Sequence, residues 1–165
     1  MVWSNYLEKN LFLLDSKYVK IIPQLNVILV TCRKVDFGLV DTQGYLDLFE
    51  IKKPKTKILS LKTDRGNYYW SVDATKAIVQ AEKYLFNAEN KGPSLIQDLK
   101  REKDMDVDVI RPRALLIIGT SKQFVNKKMR DDFRVLRRSL KNIEIILYDE
   151  LLDRIKAQKN KVYVN

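Results

Sequence analysis

Two short stretches decide the fold: VDFG at residues 35–38 and LFEIKKP at residues 48–54. Side chains that alternate between apolar and polar are typical of strands that bury one face. Between the stretches, DTQG at residues 41–44 has the composition of a hairpin turn, because glycine accepts a positive φ. Pro54 cannot donate to a strand ladder. The pattern therefore predicts a β-hairpin that ends at Pro54.

The hairpin brings polar residues to a face that is otherwise apolar. Alternation places Glu50 and Lys52 in line with Leu46 and Leu48, whereas Asp47 falls on the opposite face as a solvated residue. A three-residue loop at 42–44 sets Asp36 opposite Glu50, and a different loop length would change that pairing.

This cluster can support phosphodiester chemistry. Asp36, Glu50 and the carbonyl of Ile51 offer hard oxygen ligands for Mg²⁺ or Mn²⁺, and Gly38 would leave room for an ion or a phosphate. Such an ion lowers the pKa of bound water, and Lys52 can orient or deprotonate that water or stabilise charge on the phosphorane. The competing interpretation is a surface ion pair between Glu50 and Lys52 at a strand end.

Composition narrows the classes of function. The 165 residues suit one domain, and they contain no histidine and one cysteine, which excludes His-based catalysis, zinc proteases and an intrachain disulfide. A net charge of +10 favours nucleic acid or an anionic membrane as partner. No long apolar run or signal peptide is present and the single cysteine suits a reducing compartment, so we expect a cytoplasmic protein. The basic helix lacks the Trp/Phe/Leu-rich opposite face of membrane-surface helices, so we expect no membrane contact.

Further elements extend outward from the hairpin. We predict helices at 3–14, 71 or 72 to 88, 123–140 and 148–158, a short helix after Gly92, and an irregular segment at 55–70. Strands are predicted at 26–33, 34–40, 45–53, 114–119 and 143–147. This order predicts an α/β sandwich with a mixed sheet.

Basic residues form two runs, one beside the hairpin and one at helical spacing further along the chain. The interpretation is contact with DNA phosphates, and the alternative for the second run is a solvated helix face. The aromatic residues 68–70 could stack on bases or pack beneath their loop. The residues expected to bind nucleic acid are Lys53, Lys55, Lys57, Lys62, Arg65, Lys127, Lys128, Arg130, Arg134, Arg137 and Arg138.

The spacing of Asp36 from Glu50-Ile51-Lys52 resembles the PD-(D/E)XK nuclease signature. Further segments, AIVQ at 77–80, RPRA at 111–114 and IEIILYDELL at 143–152, resemble the Shedu antiphage defence nuclease domain. The resemblance extends from about residue 3 to 155. It implies a restriction-endonuclease-like three-layer sandwich, with a mixed central β-sheet flanked by helices.

The resemblance also implies site residues and partners. Residues 1–165 would be a single nuclease domain, without the variable N-terminal region that family members carry. Asp36, Glu50, Lys52 and Gln80 would be catalytic, with Asp36, Glu50 and Ile51 at the metal, and Glu8 is the one acidic candidate on the first helix. Homo-oligomers and a role in defence against phage are expected.

The hypothesis is a Mg²⁺- or Mn²⁺-dependent DNA endonuclease. The alternative is a non-catalytic nucleic-acid-binding or assembly module on the same fold.

Overall fold

A computed structural model of the chain describes residues 15–27 and 34–162. The elements in chain order are β1 (Tyr18–Asn26), β2 (Lys34–Asp41), β3 (Leu46–Ile51), α1 (Val72–Asn90), α2 (Gly92–Lys103), β4 (Ala114–Ile117), a 3-10 turn (Ser121–Gln123), α3 (Lys127–Ser139), β5 (Ile143–Ile146) and α4 (Tyr148–Val162). No helix in these ranges has both the length and the apolar composition to cross a bilayer.

The five strands form one sheet in the order β1-β2-β3-β4-β5. Strands β1, β2 and β3 pair antiparallel, whereas β3, β4 and β5 pair parallel. Helices α1 and α2 connect β3 to β4, and α3 connects β4 to β5, because parallel neighbours require a crossover. The predicted mixed sheet and α/β class are confirmed.

Helices cover both faces of the sheet. On one face, Leu46 and Leu48 belong to a core that includes residues of α1, α2 and α3. On the other face, Phe49 packs in a second core with Leu151 and Ile155 of α4. The buried central strands are apolar on both faces for this reason.

Local signals fix the ends of α1 and β4. The hydroxyl of Ser71 accepts a 3.0 Å hydrogen bond from the amide of Ala74 and caps α1, which begins where the sequence predicts. The strand predicted for 114–119 ends at Ile117, and Gly119 then turns the chain with a φ of +58°. Residues 55–70 form no extended strand or helix, as expected.

The first strand differs from the prediction. Strand β1 ends at Asn26, where the predicted strand 26–33 begins, and residues 28–33 lie outside the described residues, as do the predicted helix 3–14, Glu8 and Cys32. A register shift between Tyr18 and Lys20 and a positive φ of 51° at Gln24 interrupt the alternation in β1. The sequence therefore lacks the simple period of two that would have revealed this strand.

Two predicted features of the hairpin are wrong. Asp47 is not solvated: it is 9% exposed and accepts hydrogen bonds from the hydroxyl of Tyr18 at 2.7 Å and the amide of Arg113 at 2.8 Å. Gly38 does not open space for an ion, because a Cβ there would lie 2.7 Å from the Leu25 side chain and 3.0 Å from that of Leu46. Core side chains fill the place that the glycine leaves.

Candidate active site

The candidate site lies where β2 begins and β3 ends. Phe37 pairs with Phe49 and Gly38 with Leu48, and the same register sets Asp36 opposite Glu50, as the three-residue loop predicts. Strands β4 and β5 run parallel to β3, so their carboxyl ends point to the same edge of the sheet. Ligands commonly bind at this edge of α/β sheets.

Asp36 is fixed by the main chain of the partner strand. Its carboxylate oxygen Oδ2 accepts a 2.8 Å hydrogen bond from the amide of Ile51. Asp36 is half-buried, so its carboxylate remains partly open to solvent although Oδ2 is engaged by this bond. This bond orients Asp36 beside the end of β3.

Glu50 and Lys52 form a close ion pair on the face covered by α1. The Nζ atom of Lys52 donates to Glu50 Oε1 at 2.6 Å, and Glu50 is 5% exposed. The second carboxylate oxygen, Oε2, is buried and has no hydrogen-bond partner in the described structure. A buried acceptor without a donor is costly, and it often marks a place for a water or an ion.

Burial changes the acidity of Glu50. Loss of solvent raises the pKa of its carboxyl group, and the nearby negative charge of Asp36 raises it further, against the opposing effect of Lys52. A positive ion at the unpaired oxygen would favour the charged form. Such an ion would thus offset part of the cost that burial places on the charged carboxylate.

Gln80 of α1 extends the cluster. Its Oε1 accepts a 2.8 Å hydrogen bond from Lys52 Nζ, and its Nε2 donates to the hydroxyl of Tyr84 at 2.7 Å. Tyr84 in turn donates to the carbonyl of Lys34 at 3.3 Å. This chain fixes the orientation of the Gln80 amide. Asp36, Glu50, Lys52 and Gln80, separated in sequence, thus meet at one place.

Sequence reasoning missed Tyr148 as a member of the site. Its hydroxyl donates a 2.6 Å hydrogen bond to the carbonyl of Lys52. Burial and the charge of Asp36 raise the pKa of Tyr148 to about 12, so the hydroxyl remains a donor at neutral pH. The sequence contained one signal for this role: Tyr148 follows β5, and a strand parallel to β3 ends at the same edge of the sheet as the candidate site.

The donor set fits a hard divalent cation. Asp36 and Glu50 offer carboxylate oxygens, and Ile51 can add its carbonyl oxygen. Glu50 Oε2, which accepts no hydrogen bond from a described residue, is free to bind a cation. Within residues 15–27 and 34–162, no three acidic or cysteine side chains cluster in a way that could hold a metal ion. A cation here would accordingly keep several water ligands, as Mg²⁺ usually does.

The basic residues that follow β3 are exposed. This group continues directly from Lys52 along the irregular segment, and two of its members line a cavity of about 400 Å³ with Pro54 and Leu61. The cavity-lining members are Lys55 and Lys57, and the others are Lys53, Lys62 and Arg65.

One of the aromatic residues 68–70 packs against the core. The ring of Trp70 lies edge-to-face on that of Phe133, with ring centres 6.1 Å apart. This contact favours packing beneath the loop over base stacking for Trp70.

Some basic residues of α3 form ion pairs, and others do not. Lys127 pairs with Asp131 at 2.8 Å, Lys128 with Asp132 at 3.1 Å, and Arg137 with Glu150 at 2.7 Å. The guanidinium of Arg137 also lies 5.0 Å from the centre of the Phe133 ring, within the range of a cation–π contact. The members that form no ion pair with a described residue are Arg130, Arg134 and Arg138.

Comparison with known proteins identifies the family of this chain. Residues 1–152 match the family described as "Shedu protein SduA, C-terminal". The Shedu protein SduA of Bacillus cereus (strain B4264) is 30% identical over 112 residues, which cover 67% of this chain and 30% of that protein. The match thus spans under a third of the relative's length. Since the family match includes the hairpin, α1 and β5, the chain belongs to the Shedu family.

Proposed function

We propose that this chain is a metal-dependent DNA endonuclease of the restriction-endonuclease-like fold, and that it acts in cytoplasmic defence against phage. The observation that carries the proposal is the buried, unpaired Glu50 Oε2, set opposite Asp36 and next to the ammonium of Lys52. Shedu membership supports the defence role. The sheet with helices on both faces is consistent with the proposed fold.

The metal would be Mg²⁺ or Mn²⁺, held by Asp36, Glu50 and the carbonyl of Ile51. Bound there, it would supply charge neutralisation for a phosphodiester and a lower pKa for an attacking water. Asp36 contributes an oxygen already oriented by its bond to the Ile51 amide. Glu50 would contribute an oxygen that no donor within residues 15–27 and 34–162 occupies.

Lys52 is equipped to donate to the reacting phosphate. An ammonium group has three N–H bonds, and Glu50 and Gln80 accept two of them. The third is available for a water or for a phosphate oxygen on which negative charge develops. A preorganised charged donor of this kind stabilises a transition state without further rearrangement.

The other contacts hold this donor in place. Gln80 fixes the ammonium from α1, and Tyr84 fixes Gln80. Tyr148 holds the main chain of Lys52 from the opposite face of the sheet. The side chain that would meet the phosphate is thereby restrained from both faces.

The test is cleavage of supercoiled and linear DNA by the purified chain with Mg²⁺, Mn²⁺ or EDTA. We expect cutting with either metal and none in EDTA, and loss of cutting in both Glu50→Gln and Lys52→Ala. Equal cutting by wild type and variants would show that the site is misplaced.

A second outcome separates the enzyme from a binding module. Glu50→Gln should retain affinity for DNA while it loses cleavage, because its role is in catalysis. DNA binding without cleavage by wild type under every metal condition would support the non-catalytic module instead.

A further inference from the structure

A basic depression adjoins the candidate site on the outer side of Gln80. Its volume is about 640 Å³, and it lies between the beginning of β2 and one face of α1. Gln80 and Tyr84 line it, so the residues that hold Lys52 also form its border. Gln80 thus belongs both to the depression and to the candidate site.

Among the residues that the structure describes, three lysines and no acidic residue line this depression: Lys34, Lys76 and Lys83. Lys34 and Lys76 form no ion pair with any described residue, and the ammonium of Lys83 lies 5.6 Å from the centre of the Phe86 ring. Lys34 also borders a second cavity that contains Asp98 and Glu102, yet it pairs with neither. Lys34 and Lys76 therefore carry positive charge that no described acidic residue neutralises, whereas several basic residues of α3 are paired with acidic ones.

The floor of the depression has a mixed character that suits a nucleic-acid strand. Its lining includes Val79, which is 55% exposed, together with Tyr84 and Thr75. A sugar-phosphate chain carries regular negative charge and also presents apolar sugar surface. Lysine ammonium groups serve as point-charge partners for phosphates, and their stems can contact sugars.

We propose that Lys34, Lys76 and Lys83 bind the phosphates of the DNA strand next to the phosphodiester that is cut. This inference rests on the proposed nuclease function and assigns the strand's path across α1. Lys76 and Lys83 lie two turns apart on α1, whereas Lys34 is distant in sequence, so only the packing of α1 beside β2 reveals the three as a group.

The test measures affinity for duplex DNA as a function of salt concentration, in EDTA so that no cleavage occurs. The variants are Lys34→Gln, Lys76→Gln, Lys83→Gln and their combination. Each lost phosphate contact should lower the slope of log affinity against log salt by about 0.9. We expect the triple variant to bind at least roughly tenfold more weakly at low salt.

Lys156→Gln is the matched control, because Lys156 is exposed on α4, which covers the opposite face of the sheet. Its affinity and slope should equal those of wild type, and thermal unfolding should show that all variants fold. A triple variant with wild-type affinity and slope would overturn this inference.

The same experiment separates the two proposals when it is paired with the cleavage assay. If wild type cuts DNA and the triple variant binds DNA with wild-type affinity, only the lysine subsite is refuted. Wild type that neither binds nor cuts DNA would refute the nuclease proposal and the subsite together.

Discussion

The hydroxyl of Tyr148 donates a 2.6 Å hydrogen bond to the main-chain carbonyl of Lys52, a residue 96 positions earlier. Tyr148 belongs to the core that α4 forms on one face of the sheet, whereas the Lys52 side chain meets Gln80 on the other face. The bond therefore links the helix layer on one face to the proposed catalytic lysine on the other.

Tyr148→Phe should weaken catalysis more than it weakens the fold. Loss of one buried hydrogen bond typically costs about 1 kcal/mol, which lowers Tm by roughly 2–4 °C in a chain of this size. Because Lys52 loses a restraint, we expect DNA cleavage to slow by roughly ten- to hundredfold. Thermal unfolding and single-turnover cleavage measure the two effects.

Tyr18→Phe is the control for that prediction. Tyr18 also lies in the α4-side core, and its hydroxyl donates to Asp47 at 2.7 Å, where β3 begins. The variant should lose a similar amount of stability and keep wild-type cleavage. Equal slowing in both tyrosine variants would mean that Tyr148 acts only through stability.

Glu50→Gln should stabilise the protein at neutral pH. The pKa of Glu50 is raised above its ordinary value of 4.5 by burial, so the folded state binds this proton more tightly than the unfolded state does. Stability therefore falls as pH rises from about 4.5 through the raised pKa, and it stays lowered above it. Glutamine carries no such charge and still offers an acceptor to Lys52.

The measurement is Tm against pH for wild type and Glu50→Gln in EDTA. The variant should have the higher Tm at pH 7–8, and the two curves should converge as pH falls below the ordinary value of 4.5. A variant that is less stable than wild type at neutral pH would show that the Lys52 pairing outweighs the cost of burial.

Mg²⁺ or Mn²⁺ should raise the Tm of wild type in the absence of DNA. A ligand that binds only the folded state stabilises it by about 2.7 kcal/mol at a hundred times its dissociation constant. Asp36→Asn and Glu50→Gln should reduce or abolish this gain, while Asp41→Asn, in the hairpin turn, should retain it. An equal gain in all four proteins would place the cation elsewhere.

Gly38→Ala should destabilise the hairpin. The added methyl group would meet Leu25 and Leu46 at 2.7 and 3.0 Å, and overpacking of this kind typically costs about 1–3 kcal/mol. Chemical denaturation measures this loss. A neutral effect would show that the two leucines can move aside, and that the space near Gly38 is less filled than the packing indicates.

The sequence predicted the register of the hairpin well because its signals are local. Alternation around Glu50 and the turn at 41–44 determine which residues face each other, so the pairing of Asp36 with Glu50 followed from loop length. Likewise, Ser71 marks the start of α1, which brings Gln80 to Lys52.

What the sequence could not give depends on long-range packing. The roles of Tyr148 and Asp47 arise from contacts between residues that are far apart in the chain. The residues next to them in sequence do not predict those contacts. The ion pair between Arg137 of α3 and Glu150 of α4 likewise joins two helices, and a helical charge pattern does not predict it. Strand β1 was missed because its bulge breaks the alternating pattern.

The most direct test compares DNA cleavage rates of wild type, Lys52→Ala and Lys156→Ala with Mg²⁺ or Mn²⁺. Removal of a charged donor to the reacting phosphate should slow cleavage by at least about a hundredfold, while the exposed lysine of α4 should be dispensable. The account predicts this difference in cleavage rate when the enzyme is in excess and the DNA is fully bound. Similar rates in all three proteins, or no cleavage by wild type with either metal, would contradict it.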